Sequence, residues 1–205
     1  MHKRLLWLIE ALTQHELDGI LVSTPENRRY LSGFTGSAGY LLISKNQAEL
    51  ATDSWHTEQA TEQAEDFRVV QVQSGWSWLV KSLQRSGLHR LGFESEHLPL
   101  VAHQQILESI KQEPTLTSVS LVTTSGIIEG LRAFKDEQEL ALMQRAIVSS
   151  DSAMDAVCPT LREGLTERDM RNQLDVGATL FYHSVGWRCL GFRGVISSDC
   201  ILRKL

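Results

Sequence analysis

Tyr40-Leu41-Leu42-Ile43 and Ala48-Glu49-Leu50-Ala51-Thr52, joined through Lys45-Asn46-Gln47, decide the fold class of this chain. Each run is short, largely apolar and bounded by turn formers, which is the pattern of a buried strand. So short a link cannot make a crossover, so the two strands are antiparallel. Upstream, Leu5, Leu8 and Leu12, joined by Ile9, recur at helical spacing until Gly19 breaks the pattern. Gly19-Ile20-Leu21-Val22 then reads as another buried strand. Pro25 to Gly39 is a polar, glycine-rich connection with room for a short helix. Downstream, helical stretches at Trp55 to Glu65, Trp76 to Ser86 and Val101 to Lys111 alternate with strands. The strands are Phe67-Arg68-Val69-Val70-Gln71-Val72, Arg90-Leu91-Gly92-Phe93 and Ser118-Val119-Ser120-Leu121-Val122. Such alternation implies an α/β layer structure, a mixed β-sheet flanked by helices. Trp7, Trp76 and Trp78 are read as packing residues.

Composition narrows the class further. The 205 residues are 42% hydrophobic and 22% charged, as in ordinary globular proteins with a substantial core. A net charge of -5 with scattered basic residues argues against nucleic acid or an anionic membrane as partner. No apolar run is long enough to cross a bilayer. Met1-His2-Lys3-Arg4-Leu5-Leu6-Trp7 has the flavour of a signal peptide. Glu10 and the lack of a small-residue cleavage site make it an amphipathic helix instead. Cys158, Cys189 and Cys200 are odd in number and widely spaced, which suggests a reducing compartment without a disulfide framework. A cytoplasmic location is expected.

The character changes after Ile127. Glu129 to Lys135 reads as a linker or short helix, and Asp136-Glu137 opens a long helix with acidic residues at its positive end. Its apolar face is Leu140, Met143, Ile147, Met154 and Val157, with Pro159 at the exit. Left in water, each such side chain forgoes roughly 1.5–3 kcal/mol of burial. The face is therefore expected to be covered by the tail or a second chain, or else to be mobile. Thr166 with Asp169 forms a box-like cap for the next helix, with Leu165 and Met170 at staple spacing. At Asp175-Val176-Gly177 the pattern dissolves. Val176 to Leu205 carries Phe181, Tyr182, Trp187, Phe192 and two of the three cysteines, with little regular period. Two readings stand: an irregular extension packed on the core, or residues foreign to the original design, as after a frameshift or in a truncated gene. The expected divisions are 1–126, 127–175 and 176–205.

Few motifs carry chemistry. Gly33-Phe34-Thr35-Gly36-Ser37-Ala38-Gly39 has three glycines at spacing three, without the ending of a phosphate-binding loop or the flanks of a nucleophile elbow. It reads as a tight turn that brings the backbone close to another surface. His97 and His103, near Glu94 and Glu96, hint at a metal. Their six-residue separation and the intervening Pro99 favour surface or loop histidines. Asp53 and His56 form a possible acid/base pair with no nucleophile linked to them in the sequence. No CxxC or HExxH motif occurs. No complete catalytic site assembles from these residues.

One ordered set of strings carries a resemblance. It begins with Leu17 to Val22, then Pro25-Glu26-Asn27-Arg28-Arg29-Tyr30-Leu31-Ser32-Gly33-Phe34-Thr35-Gly36-Ser37-Ala38-Gly39, then Thr52-Asp53-Ser54-Trp55-His56-Thr57-Glu58-Gln59-Ala60. Leu91-Gly92-Phe93-Glu94 and Leu131 to Glu139 follow in order. Over roughly the first 175 residues the chain resembles the N-terminal part of Xaa-Pro aminopeptidases and their prolidase and creatinase relatives. The resemblance implies a creatinase N-terminal-like α/β domain (a ribonuclease H-like layer) that is non-catalytic, followed by the first helices of a truncated pita-bread domain. In complete relatives that second domain holds two divalent metal ions, with manganese expected, on two aspartates, a histidine and two glutamates. The metals activate water for attack on the bond before proline. Those ligands would lie after residue 175, and Asp175, His183 and Asp199 do not sit in the family's ligand motifs. No catalytic or metal residue is carried over, and no cofactor is expected in this chain.

The resemblance further implies a role in dimerisation and in shaping a neighbouring active site, with a homo-oligomer or a partner chain expected. Candidate contact residues are Asn27, Tyr30, Gly33, Phe34, Gly36, Ser37, Asp53, Trp55 and His56. Where the family usually shows Asp-x-Arg-Tyr, this chain has Asp53-Ser54-Trp55-His56. Tryptophan cannot supply the charge-assisted anion contact of an arginine. The leading expectation is a truncated Xaa-Pro aminopeptidase-like chain without peptidase activity. The alternative is a stand-alone non-catalytic module that binds a partner or ligand through the same loop. A peptidase completed by another chain ranks last.

Overall fold

The computed structural model of the chain describes residues 3–73 and 75–184. Strand β1 (Gly19–Val22) pairs antiparallel with β2 (Tyr40–Ser44), which turns through Lys45 and Asn46 into antiparallel β3 (Gln47–Thr52). The turn is one residue tighter than the sequence suggests, so Gln47 joins the ladder opposite Ser44. Parallel partners extend both sides: β4 (Arg68–Gln71) beside β3, then β5 (Arg90–Glu94) beside β1, and β6 (Ser120–Thr124) beside β5. The spatial order is β4-β3-β2-β1-β5-β6. Only β2 runs against the rest. Strand β6 starts later than expected because the Val119 N–H closes a 3-10 turn on the Leu116 carbonyl, and Ser120 is the first residue to reach β5 through His89.

Alternation along the strands builds two cores. Ile20, Val22, Leu41, Ile43 and Leu50 face one layer, while Leu21, Leu42, Ala51, Leu91 and Phe93 face the other. The first face is covered by α1 (Lys3–Gln14), α2 (Pro25–Ser32), α3 (Thr57–Gln63) and α6 (Ile127–Ala133), which contribute Leu5, Leu8, Leu12, Leu31, Ala60 and Ile128. The second is covered by α4 (Ser77–Ser86) and α5 (Leu100–Lys111), with Trp76, Trp78, Leu79, Leu83, Ile106 and Ile110. Burying side chains on both faces at period two fixes the register, since a slip of one residue would exchange the two cores.

Two compact units result, Met1–Phe134 and Lys135–Leu205. Helix α6, which falls in the linker segment of the sequence reading, packs Ile128 into the first unit's core. In the second unit α7 (Glu137–Val157) starts with a capping box. The Glu139 N–H donates to Asp136 at 2.9 Å, and the Asp136 N–H donates to the Glu139 carboxylate at 3.0 Å. Its buried stripe is Ser149, Ala153 and Val157, whereas Leu140 and Ile147 are about half exposed, at 54% and 50%. Of the expected apolar face only Val157 is covered. Small residues four apart form the covered seam, and the larger side chains flank it.

Thr166 and Asp169 exchange bonds as expected, the Asp169 N–H donating to Thr166 Oγ1 at 3.2 Å and Thr166 Oγ1 to Asp169 at 2.7 Å. Helix α8 (Glu167–Ser184) then continues past Gly177, where the sequence pattern suggested an end. One glycine costs a helix only about 1 kcal/mol and does not terminate it. Trp187, Cys189, Phe192 and Cys200 lie outside the described residues, as does most of the segment read as foreign.

Asp18 ties the turn before β1 to β5 by accepting the His89 and Arg90 N–H groups at 2.9 and 2.8 Å. The Arg90 bond foremost, then the His89 bond, holds its carboxyl below the usual carboxylate range. A depressed carboxylate stabilises the fold above its unfolded pKa of about 3.9 and loses that contribution as pH falls through the folded value. Asp18→Asn is therefore expected to lower stability at pH 7 by about 0.5–1 kcal/mol, a figure reduced for its exposure. Urea melts of both proteins should converge as pH falls through the folded value; a gap independent of pH would show that the charge is not responsible.

Candidate functional site

The reversed direction of β2 decides where the candidate residues meet. The C-terminal ends of β1, β3 and β5 and the N-terminal end of β2 all lie on one edge of the sheet. Thr24, Asp53 and Glu94 therefore share that edge with the loop over 33–39 that leads into β2. Edges of this kind are where open α/β sheets place ligands.

A buried polar network fixes α2 against the edge. Glu94, the last residue of β5, accepts the Ser23 and Thr24 N–H groups on one oxygen, both at 2.6 Å. Its other oxygen accepts the Asn27 amide at 2.6 Å. Asn27, completely buried, also donates to Glu129 at 2.5 Å and accepts from Arg132 Nη1 at 3.0 Å. A carboxylate beside the start of α2 complements the helix dipole. The same edge opens into a cavity of about 240 Å³ whose lining includes Thr24, Glu94, Glu96, His97, Thr124 and Glu129.

From α2 the loop is held by its own carbonyls. Gly33 ends the helix at φ +76°, a left-handed cap that suits glycine, with its N–H on the Arg29 carbonyl. Arg28, buried beneath, donates to the Gly39 carbonyl at 2.7 Å and the Gly36 carbonyl at 2.8 Å. Burial pushes this guanidinium down from its ordinary pKa, and it remains a cation. Phe34 inserts into the first core. A Cβ on Gly36 would come within 2.2 Å of the Phe34 ring and 2.9 Å of the His56 ring, so only glycine lets the backbone pass between them.

Across from the loop, Asp53 to His56 form the turn before α3, which is why that helix begins at Thr57 and not at Trp55. Asp53 accepts His56 Nδ1–H at 2.7 Å and the His56 backbone N–H at 3.1 Å. The side-chain bond from His56 is the main reason the Asp53 carboxyl sits below its usual range. His56 Nε2 lies 3.4 Å from Ser37 Oγ. The side chain of Thr35 donates to Gln63, and that of Thr52 donates to the Ala38 carbonyl. Trp55 is 90% exposed.

The nine candidates thus divide. Ser37, Asp53, Trp55 and His56 meet solvent at the edge, with Gly33 and Gly36 shaping the turn between them. Asn27, Tyr30 and Phe34 are buried and act behind that surface. Nothing in the sequence links a nucleophile to the Asp53–His56 pair, and the structure brings Ser37 to it across nineteen residues. The Glu94 anchor also escaped that reading, although Glu94 and Asn27 stand in the quoted strings, because nothing in the sequence signals their contact. His97 Nδ1 lies 3.3 Å from Ser23 Oγ, His103 packs its ring against Phe93, and Glu96 accepts from Ser125. Among the described residues no group of three or more metal-ligating side chains could hold a metal, and no helix is long and apolar enough to cross a membrane.

Comparison with known proteins places this architecture. The family described as the creatinase/prolidase N-terminal domain matches residues 4–134. Among curated proteins, the "Uncharacterized peptidase YqhT" of Bacillus subtilis is 28% identical over 162 residues, which is 78% of this chain and 44% of that protein. Among solved structures, a Xaa-Pro dipeptidase from Bacillus anthracis superposes with a TM-score of 0.79 at 29% identity, over 87% of this chain and 49% of that one. The N-terminal domain of the cytoplasmic peptidase PepQ from Mycobacterium tuberculosis superposes with a TM-score of 0.59 at 32% identity, over 64% of this chain and 100% of that one. The chain spans about half the length of the curated relatives it matches.

Replacing Asn27 with Ala leaves Glu94, Glu129 and Arg132 each short of one buried partner. The expected loss is about 1–3 kcal/mol of stability, read as a lower urea midpoint with an unchanged slope. A loss under about 0.5 kcal/mol, the range of ordinary surface changes, would show that the network is not an anchor.

Proposed function

The chain belongs to the creatinase/prolidase N-terminal domain family, and from that premise we propose that residues 3–134 are the module of a Xaa-Pro peptidase that does not itself carry the peptidase chemistry, folding by themselves and presenting the loop edge to a neighbour. The observation that carries this reading is the match to the whole of a solved N-terminal domain. Its support is physical as well. Arg28, Phe34 and Gly36 hold the loop over 33–39 in one shape, as expected of a surface that another body must fit. The 205-residue chain alone lacks peptidase activity. A cytoplasmic location agrees with the description of the Mycobacterium tuberculosis relative.

A second reading is favoured by Trp55, an indole 90% exposed at the same edge. Exposed tryptophans are enriched among the residues that dominate interfaces. Here the edge would serve as a binding surface in its own right, with a second copy of the chain as its simplest partner. The two readings share a surface and differ in what completes it.

Two measurements follow. The purified chain, supplied with manganese and a Xaa-Pro peptide, is expected to give no turnover; metal-dependent release of the N-terminal residue by pure protein would overturn the assignment of a module without peptidase chemistry. In sedimentation equilibrium, a dimer formed through this edge should dissociate about 30-fold more readily in Trp55→Ala, the effect of losing about 2 kcal/mol. An unchanged constant would remove Trp55 from the interface.

A further inference from the structure

We propose that Ser37, His56 and Asp53 form a nucleophilic relay that accepts an acyl group from small activated esters, an activity separate from peptide-bond hydrolysis. The three side chains stand in series: Ser37 Oγ 3.4 Å from His56 Nε2, and His56 Nδ1 2.7 Å from Asp53 Oδ1. With Nδ1–H donated to the carboxylate, Nε2 carries the lone pair that faces the hydroxyl. Such a site is recognised by the roles and geometry of its members and not by their spacing in sequence. The hydroxyl contact is long, as nucleophile–base contacts often are before a substrate draws them together.

The imidazole is held on several sides. Asp53 grips its ring nitrogen and its backbone N–H, and the Phe34 ring meets it edge-on with centroids 6.2 Å apart at 89°. Gly36 closes over it where a Cβ would stand 2.9 Å from His56 Cδ2. Thr57 Oγ1 donates to the Asp53 carbonyl and fixes the turn that carries both residues. His56 and Asp53 keep 23% and 41% of their side-chain surface in water, so a substrate can reach them. Ser37 and Ala38 lie in a bend before β2, outside the sheet ladder, and among the described residues no acceptor sits on either N–H. Those two groups are available to a developing oxyanion.

The step balances within the chain and water. Ser37 Oγ attacks the acyl carbon while His56 Nε2 takes the hydroxyl proton. The carbon–oxygen bond to the alcohol breaks, and the departing oxygen takes that proton from Nε2. Water then attacks the acyl-serine, again losing a proton to Nε2. The proton returns to Ser37 Oγ as the acid leaves. The site lies on an exposed edge, so it offers little binding energy and suits an aryl acetate with a good leaving group better than a peptide bond.

The test uses the full chain with a fluorophosphonate probe and, separately, 4-nitrophenyl acetate. Peptide mass mapping is expected to place the phosphonyl adduct on Ser37. Labelling should be abolished in Ser37→Ala and slowed about a hundredfold in His56→Gln, the scale of a lost general base. Circular dichroism melts of both variants establish that they fold. 4-Nitrophenyl acetate should give a burst that Ser37→Ala lacks. No adduct on Ser37, or an adduct formed equally fast in folded His56→Gln, overturns the proposal. Hydrolysis of the acetate that survives Ser37→Ala without a burst also overturns it, because a lone imidazole would then account for the activity. Labelling should persist with a metal chelator, which separates this result from any outcome of the peptidase assay.

Discussion

The carboxylate of Glu94 is the constraint on which the rest of the edge depends. It ends a central strand, in a place where burial without partners would cost several kcal/mol. It is satisfied by two backbone N–H groups after β1 and by Asn27 one turn into α2. Those bonds set the start of α2, and the helix in turn sets where Gly33 releases the chain and where Arg28 reaches up under the loop. A polar network of this type rigidifies when every member is paired. Here Asn27 joins β5, α2 and α6, so one side chain links three segments far apart in sequence. Exposed residues at the loop inherit their positions from an interior arrangement they do not touch.

Two different devices position the two sides of the candidate site. The loop over 33–39 is shaped by interior groups: Arg28 beneath its carbonyls, Phe34 in the core and the missing Cβ of Gly36. Asp53 to His56 is shaped locally, by a turn whose side chains bond back to its own backbone. Ser37 comes from the first side and His56 with Asp53 from the second. Their encounter is therefore a product of the sheet, since β2 and β3 are neighbours and antiparallel. Thr52, at the end of β3, adds a direct tie through the Ala38 carbonyl.

How much of this was legible in the sequence follows from the range of each signal. The hairpin at Lys45 and Asn46, the apolar face of α1 and the alternation of strands with helices are local patterns, and the structure repeats them within a few residues. The acidic start of α7 and the cap at Thr166 are likewise local and were readable, whereas the reciprocal box at Asp136 appears only in the structure. Glu94 with Asn27, and Ser37 with His56, are contacts across 67 and 19 residues and leave no local trace. Tyr30, on α2, and Phe34, in the loop that follows it, were named as contact residues, but both pack into the first core. Their strings were recognisable as a family resemblance, while the division of labour between the buried and exposed members was not.

The helix pair of the second unit separates what starts a helix from what keeps it. Helix α7 has a reciprocal cap and acidic residues in its first turn, and α8 begins at its own box. Such features contribute on the order of 1 kcal/mol each and fix where a helix begins. Lasting stability comes from burying a face. In α7 the buried seam consists of Ser149, Ala153 and Val157, three small or medium side chains with little apolar area, while Leu140, Met143, Ile147 and Met154 stay partly in water. The first unit buries two layers of leucine, isoleucine and aromatic side chains against a six-stranded sheet. Judged by apolar area, the first unit has what an independent domain needs. Helix α7 has a well-specified start and a covered seam of little apolar area, so its persistence as part of a helical layer depends on apolar cover beyond that seam.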